Sequence, residues 1–312
     1  MPYNSITDRS KVGGLIPMEY SNEFINAIAE QSAVLSMGRR LMDMNRYQKT
    51  MPVLSALATA YFVNGETGLK QTTDLEWTDE VVTAEEIACI VPVPESTLRD
   101  TNVNLWEQIR PELITAMGVV IDNAALYDTN KPTTWATGIV PGAVAAGNNV
   151  ALGTGADIYD DIMSENGTLT LVEQDGFPVT GHIASLDMKG RLRGLRDSDG
   201  QPIFTQNMQA ANQYFLDGMP LTFPMNGSAS TSYPLISGDW RNFAFSMRQD
   251  MEWKVATEAV IQDQAGNIVY NLFQQDMVAL RVTMRLGTAL PNPINRINTS
   301  STTRFPFAVL TN

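Results

Sequence analysis

The stretch at residues 90–101, IVPVPESTLRDT, limits the folds open to this chain more than any other. Pro92 and Pro94 lock their own φ, lack the N–H that a β ladder needs, and press Val91 and Val93 into extended conformations. A strand must therefore end here. Helical spacing begins just beyond: Asn104 with Glu107 three residues on reads as a capping box, and Leu105, Ile109, Leu113, Met117, Val120 and Ala124 recur every three or four residues. That spacing predicts a helix of about six turns. Pro111 removes one backbone bond inside it, so a kink near Glu107 or a true start nearer Arg110 is expected. The chain thus places a rigid elbow between an extended arm and a long helix.

The arm itself begins upstream. Residues 50–63, TMPVLSALATAYFV, are apolar, with Tyr61, Phe62 and Val63 strand-like, and Asn64 with Gly65 is a turn signal. The return leg LEWTDEVVTAEEIACIVPV sets Leu75, Trp77, Val82, Ile87 and Ile90 among acids. Together they predict a long two-stranded excursion. An isolated ribbon of two strands has too little apolar surface to offset its ordering entropy, so it must pack on the rest of the chain or on a neighbouring copy. Ahead of it, residues 17–38 open on Pro17 and place Phe24, Ile28, Val34 and Leu35 at helical spacing before Gly38, which reads as a short helix in an N-terminal arm.

Beyond the long helix, residues 132–156 are uncharged, but Pro141, five glycines and two asparagines argue against a membrane helix and for a loop-rich connector. ADIYDDIMSENGTLTLV then reads as helix followed by strand, and GHIASLDMKGRLRGLRDSDGQPIF as a strand, a helix and a turn at Asp199 with Gly200. The chain closes on β signals: LISGDWRNFAFSMR, MEWKVATEAVI, a turn at Gly266 and Asn267, the alternating DMVALRVTMRLG, and FPFAVL. This order indicates a mixed α/β layer with no internal repeat.

Composition narrows function chiefly by exclusion. With 312 residues, 44% of them hydrophobic, the chain can bury a substantial core, and its length suggests two domains. A lone Cys89 excludes an internal disulfide framework and suits a reducing compartment. The opening MPYNSITDRSKVGG lacks the apolar core of a secretory signal. A net charge of −13 and a pI near 4.5 oppose general gripping of phosphate backbones. The charge is polarised: residues 50–90 carry one Lys against seven acids, whereas residues 281–312 carry four Arg and no acid. Such patches can steer copies of the chain together, or can be solvated faces.

Parts for catalysis are missing. The single His182 has no G-x-S-x-G elbow and no Cys–His signature near Cys89, so it reads as a structural histidine. Gly153, Thr154 and Gly155 lack the third glycine of a dinucleotide fingerprint, and no phosphate loop is present. Asp197, Ser198, Asp199 and Gly200 resemble the middle of a calcium loop without its remaining ligands. Lys189, Arg191, Arg193 and Arg196 read as solvated charges or partners of Asp187 and Asp197, and the acid pairs Asp160–Asp161 and Glu85–Glu86 as solvent-facing.

The order of pieces carries more than any motif. An N-terminal arm, a β excursion, the elbow PESTLRDT, the helix NLWEQIRPELITAMGVVIDNAALYD, a loop-rich α/β region and the strands DMVALRVTMRLGTALPNP and FPFAVL together resemble the tailed-phage major capsid proteins of the Hong Kong 97 fold. The resemblance implies an α+β chain: N-terminal arm at 1–49, extended β-loop at 50–91, peripheral domain with a long spine helix at 92–131 and 245–290, and axial α/β domain at 132–244 and 291–312. It implies a shell of pentamers and hexamers in the virion, assembled in the host cytoplasm, with no enzyme activity, cofactor, metal or membrane. Partners would be other copies of the chain, a portal, a separate scaffold protein and a decoration protein, with DNA enclosed without sequence-specific binding. Met1 opens almost directly on the arm, which points to a separate scaffold or none, since some members begin with a scaffolding segment.

Candidate inter-subunit contacts are Glu66, Lys70, Asp74, Glu76 and Trp77 on the extended loop, with Arg281 and Arg285 on the penultimate strand. Some relatives link a loop Lys to a neighbour's Asn. Lys70, set among Glu66, Asp74 and Glu76, is expected to stay charged and unreactive. An encapsulin-like compartment remains open within the same fold, and an α/β hydrolase-like enzyme outside it.

Overall fold

The computed structural model describes residues 32–63, 68–100, 105–196, 201 and 214–312. Residues 17–31 of the segment 17–38 read as holding a helix, the turn at Asn64 and Gly65, the cap at Asn104 and the turn at Asp199 and Gly200 lie outside the described residues.

A five-residue helix α1 (Ala33–Met37) leads into the two-residue strand β1 (Arg39–Arg40). Strands β2 (Gln48–Leu54) and β3 (Trp77–Thr83) then pair antiparallel, Gln48 opposite Thr83 and Leu54 opposite Trp77. The ribbon is shorter than expected. Residues 55–63 form no strand, and Phe62 is fully exposed, because β-propensity without a partner strand does not hold a backbone extended. The rest of the return leg is a separate strand, β4 (Glu85–Pro94), which joins a four-stranded sheet instead of the ribbon.

The elbow follows. β4 is the edge of its sheet, the place where a strand tolerates proline, and Pro92 and Pro94 sit opposite Ala279 and Met277 at its end. Helix α2 (Glu95–Asp100) starts at the next residue, with the Glu95 amide donating to the Asp276 carbonyl at 2.9 Å. The spine helix α3 (Leu105–Tyr127) runs for 23 residues and includes Pro111, so the later start is not seen. The Thr115 hydroxyl donates to the Pro111 carbonyl at 3.0 Å. Leu113, Met117 and Ala124 are buried as the spacing predicts, but Val120 is exposed and Ile121 takes its place inside.

The supposed connector is largely structured. It holds α4 (Ile139–Ala146) and β5 (Asn149–Ala151). Pro141 lies in the first helical turn, where no N–H is missed, and Gly147 ends the helix at φ 89°. Helices α5 (Ile158–Met163) and α6 (Thr168–Gln174) come next, so TLTLVEQ is helical and not the expected strand. Thr168, Leu169 and Val172 share one buried face at helical spacing, and that burial outweighs their β-propensity.

Strand β6 (Gly181–Ala184), helix α7 (Leu186–Gly194), and strands β7 (Tyr214–Leu216), β8 (Met219–Thr222) and β9 (Leu235–Gly238) complete the α/β region. A 3₁₀ turn at Trp240–Asn242 leads to β10 (Ala244–Ala256). The hairpin β11 (Val260–Gln262) and β12 (Ile268–Asn271) turns at Gly266, φ 83°, and β13 (Met277–Ala289) and β14 (Phe307–Thr311) close the chain.

Two sheets organise the body. The four-stranded one has the order β1-β10-β13-β4, and the six-stranded mixed one β5-β14-β9-β6-β8-β7. On β13, alternate residues Leu280, Val282, Met284 and Leu286 join the core that contains Met117 and Ile121 of the spine helix. The same core takes Ile183, Ile236, Phe307 and Val309 from one face of the six-stranded sheet. Their sequence neighbours Ala184, Leu235, Ala308 and Leu310 face a second core with Ile162, Val172 and Leu192 of α5, α6 and α7. Each fully buried Leu, Ile or Phe contributes about 1.5–3 kcal/mol, so this two-sided burial anchors the six-stranded sheet.

Candidate assembly interface

The ribbon is attached at its root and bare beyond it. Val82 and Ala84 pack with Met44 and Ala289 in a small core of their own. β3 crosses β13 at Gly287, where a Cβ would lie 2.6 Å from the Thr83 carbonyl oxygen, so only glycine allows the crossing. The Trp135 indole N–H donates to the Thr83 carbonyl at 3.2 Å. Tyr47 and Thr134 hydroxyls donate to one Glu85 oxygen at 2.8 and 2.7 Å, and the Tyr47 phenol is held above its ordinary pKa chiefly by that hydrogen bond. From the far end of the chain, the Ile294 amide donates to the Leu54 carbonyl and Arg296 to that of Ala58.

Past these contacts, apolar surface faces water: Leu69 is 91% and Trp77 62% exposed. Trp77, Asp79 and Val81 alternate onto one face of β3, an apolar strip with an acid in its centre. On the other face Glu80 is half-buried, which raises its carboxyl above the usual range.

The expected contact residues fall into two groups. Lys70, Asp74, Glu76 and Trp77 are exposed on the loop, and Glu66 lies outside the described residues. Among the described residues, no ion pair joins Lys70 to Asp74 or Glu76. Arg281 and Arg285 are on the face of β13 turned away from the spine helix, opposite Ile90 and Glu86 of β4. Arg281 is exposed and Arg285 is half-buried.

One residue of this second group escaped the sequence: Lys254 of β10 is the cross-strand partner of Arg281. Both are exposed, and neither has an ion-pair partner among the described residues. Like charges directly opposite each other destabilise a sheet unless an anion joins them. Only the strand register reveals this pair. A third exposed surface is the β11–β12 hairpin, with Ile268 and Val269 and the following Phe273 open to solvent.

Residues considered for chemistry have structural partners. His182 is fully buried, its Nδ1 2.9 Å from the Ser237 hydroxyl and its Nε2 3.2 Å from the Leu216 carbonyl. The Gly153 and Gly155 amides donate to the Asp161 carboxylate at 2.7 and 2.6 Å. Asp161 is therefore buried and not solvent-facing as expected, because two backbone donors from the glycine turn satisfy its charge. Lys189, read as a solvated charge or a partner of Asp187 or Asp197, stands over the Tyr214 ring at 4.3 Å.

Comparison with known proteins agrees with this architecture. The model of the phage capsid family matches residues 12–296. The major capsid protein of Staphylococcus phage 80alpha is 24% identical over 288 residues, covering 91% of this chain and 84% of the relative. A solved structure from Microbacterium phage Oxtober96 superposes with a TM-score of 0.78 at 35% identity, covering 98% of this chain and 99% of that one. The capsid of an empty GTA particle shares the fold at a TM-score of 0.64 and 13% identity, covering 97% of each chain. From ribbon and elbow to spine helix and axial sheet, the chain has the α+β Hong Kong 97 fold, and it belongs to the phage capsid family.

Proposed function

We propose that this chain is a major capsid protein, self-assembling into an icosahedral shell of pentamers and hexamers that encloses a packaged phage genome. The observation that carries the reading is the ribbon, held at its root by a small core yet presenting Leu69 and Trp77 to water beyond it. Such a surface needs a partner, and in a family of shell proteins the partner is another copy. The ribbon is the extended loop, α3 with the four-stranded sheet the peripheral domain, and the six-stranded sheet with its helices the axial domain. Loop residues Glu66, Lys70, Asp74, Glu76 and Trp77 meet a neighbour, and Arg281 and Arg285 supply cationic contacts. A portal, a separate scaffold and a decoration protein are the further partners, and assembly takes place in the host cytoplasm. The chain is structural and catalyses nothing.

Electron microscopy and light scattering of the purified chain, with any scaffold present, test this. Closed shells are the expected result. A stable species of one chain under all assembly conditions overturns it, and shells filled with protein cargo instead of nucleic acid favour a nanocompartment. Deleting residues 64–74 should leave folded subunits that assemble poorly.

A further inference from the structure

The Asp122 carboxylate in the C-terminal part of the spine helix is fully buried and is surrounded by donors from two other segments. Its Oδ1 accepts from the Ser32 hydroxyl at 2.6 Å and the Val34 amide at 3.2 Å. Its Oδ2 accepts from the Ala33 amide at 3.1 Å, the Asn226 side-chain amide at 2.9 Å and the Ser228 hydroxyl at 3.0 Å. Ala33 and Val34 are the first two residues of α1, and the third, Leu35, donates to Ser32. A helix of five residues cannot stand alone in water, since nucleation costs more than so few bonds return. α1 therefore depends on a carboxylate supplied from another helix. On the opposite side the same carboxylate holds residues 226–228, and one turn further along α3 the Tyr127 hydroxyl accepts from the Ser230 amide at 3.0 Å.

We propose that Asp122 is a positioning residue that couples α1 to the axial segment 226–230, so that the state of one sets the placement of the other. Five donors share two oxygens, so a change in one segment moves the carboxylate on which the other relies. Coupling of this kind is reciprocal. Two independent struts would show none. The link to assembly rests on the function proposed above, but the coupling itself is measurable without it.

Hydrogen exchange by mass spectrometry on the full chain tests the idea. Asn226→Asp is isosteric and places an acceptor where Asp122 needs a donor. It should speed exchange in residues 33–37 by about tenfold or more while the β13 amides keep their protection. Conversely, Ser32→Ala should speed exchange in residues 226–230. Ser228→Ala provides the milder version of the first change should Asn226→Asp not fold. Loosening confined to each variant's own segment, or spread evenly over β13, overturns the coupling. If both segments loosen together while shells still form normally, the coupling stands and its role in assembly falls. If the unaltered chain forms no shells, only the capsid reading fails.

Discussion

Lowering the pH should destabilise the subunit through His182. The Leu216 carbonyl can only accept, so the Nε2 facing it carries the proton, and Nδ1 accepts from the Ser237 hydroxyl. Burial then pushes the imidazole pKa down from 6.5 to about 4, with the Leu216 carbonyl and Asp217 opposing only part of the shift. In the unfolded chain the ring takes up a proton near its ordinary pKa, while the folded ring stays neutral until about pH 4. Between those values the unfolded state binds more protons, so stability is complete above about pH 6.5 and falls as pH drops. The full loss below about pH 4 is roughly 3 kcal/mol, from the difference between the two pKa values at about 1.4 kcal/mol per unit. Denaturant unfolding of dissociated subunits from pH 7.5 to 4, for the native chain and His182→Gln, measures it. Gln can still donate to Leu216 but does not titrate, so the native chain's advantage over the variant should shrink by about 3 kcal/mol toward the acid end. A difference that stays constant with pH, or an imidazole that titrates near 6.5 in the folded chain, refutes the reasoning.

Other changes separate local from assembly effects. Gly287→Ala should cost about 1–3 kcal/mol, more than the fraction of a kcal/mol an alanine gains by restricting the unfolded chain, because Thr83 and Val82 leave no room for a Cβ. Its signature is a lowered Tm with faster exchange at the ribbon root, and an unchanged Tm would mean that β3 can shift. Asp161→Ala leaves the Gly153 and Gly155 amides without their acceptor and should destabilise by about 1–3 kcal/mol, with proteolytic nicking concentrated at residues 153–155. Mature particles boiled in detergent should run as single chains. A ladder of oligomers abolished by Lys70→Ala would show a covalent link instead. Reversing Lys254 and Arg281 together to Glu should impair assembly of folded subunits, with partial recovery when Glu76 and Asp79 are also reversed to Lys. Normal assembly of the first variant would return the pair to plain surface charge.

What could be read from the chain alone was local. Pro92 and Pro94 end β4 because a pyrrolidine ring restricts its own and the preceding residue whatever surrounds it, and the spine helix follows from apolar spacing along one segment. The turn at Gly266 is similarly self-contained. Errors arose where a neighbour chose between two local possibilities. TLTLVEQ has the composition of a strand but buries one side on the axial sheet as a helix, and residues 55–63 have strand propensity but no strand to meet. The candidate interface divides in the same way. Exposed acids and Trp77 on the ribbon were visible as an unbalanced run of residues, whereas Lys254 beside Arg281, Gly287 beneath Thr83, and the donors gathered on Asp122 depended on which distant segments met. Torsional sterics act within a residue or two and are written into the sequence directly. Pairing across a sheet or a buried carboxylate requires distant segments to lose loop entropy together, and only the assembled core compensates that loss.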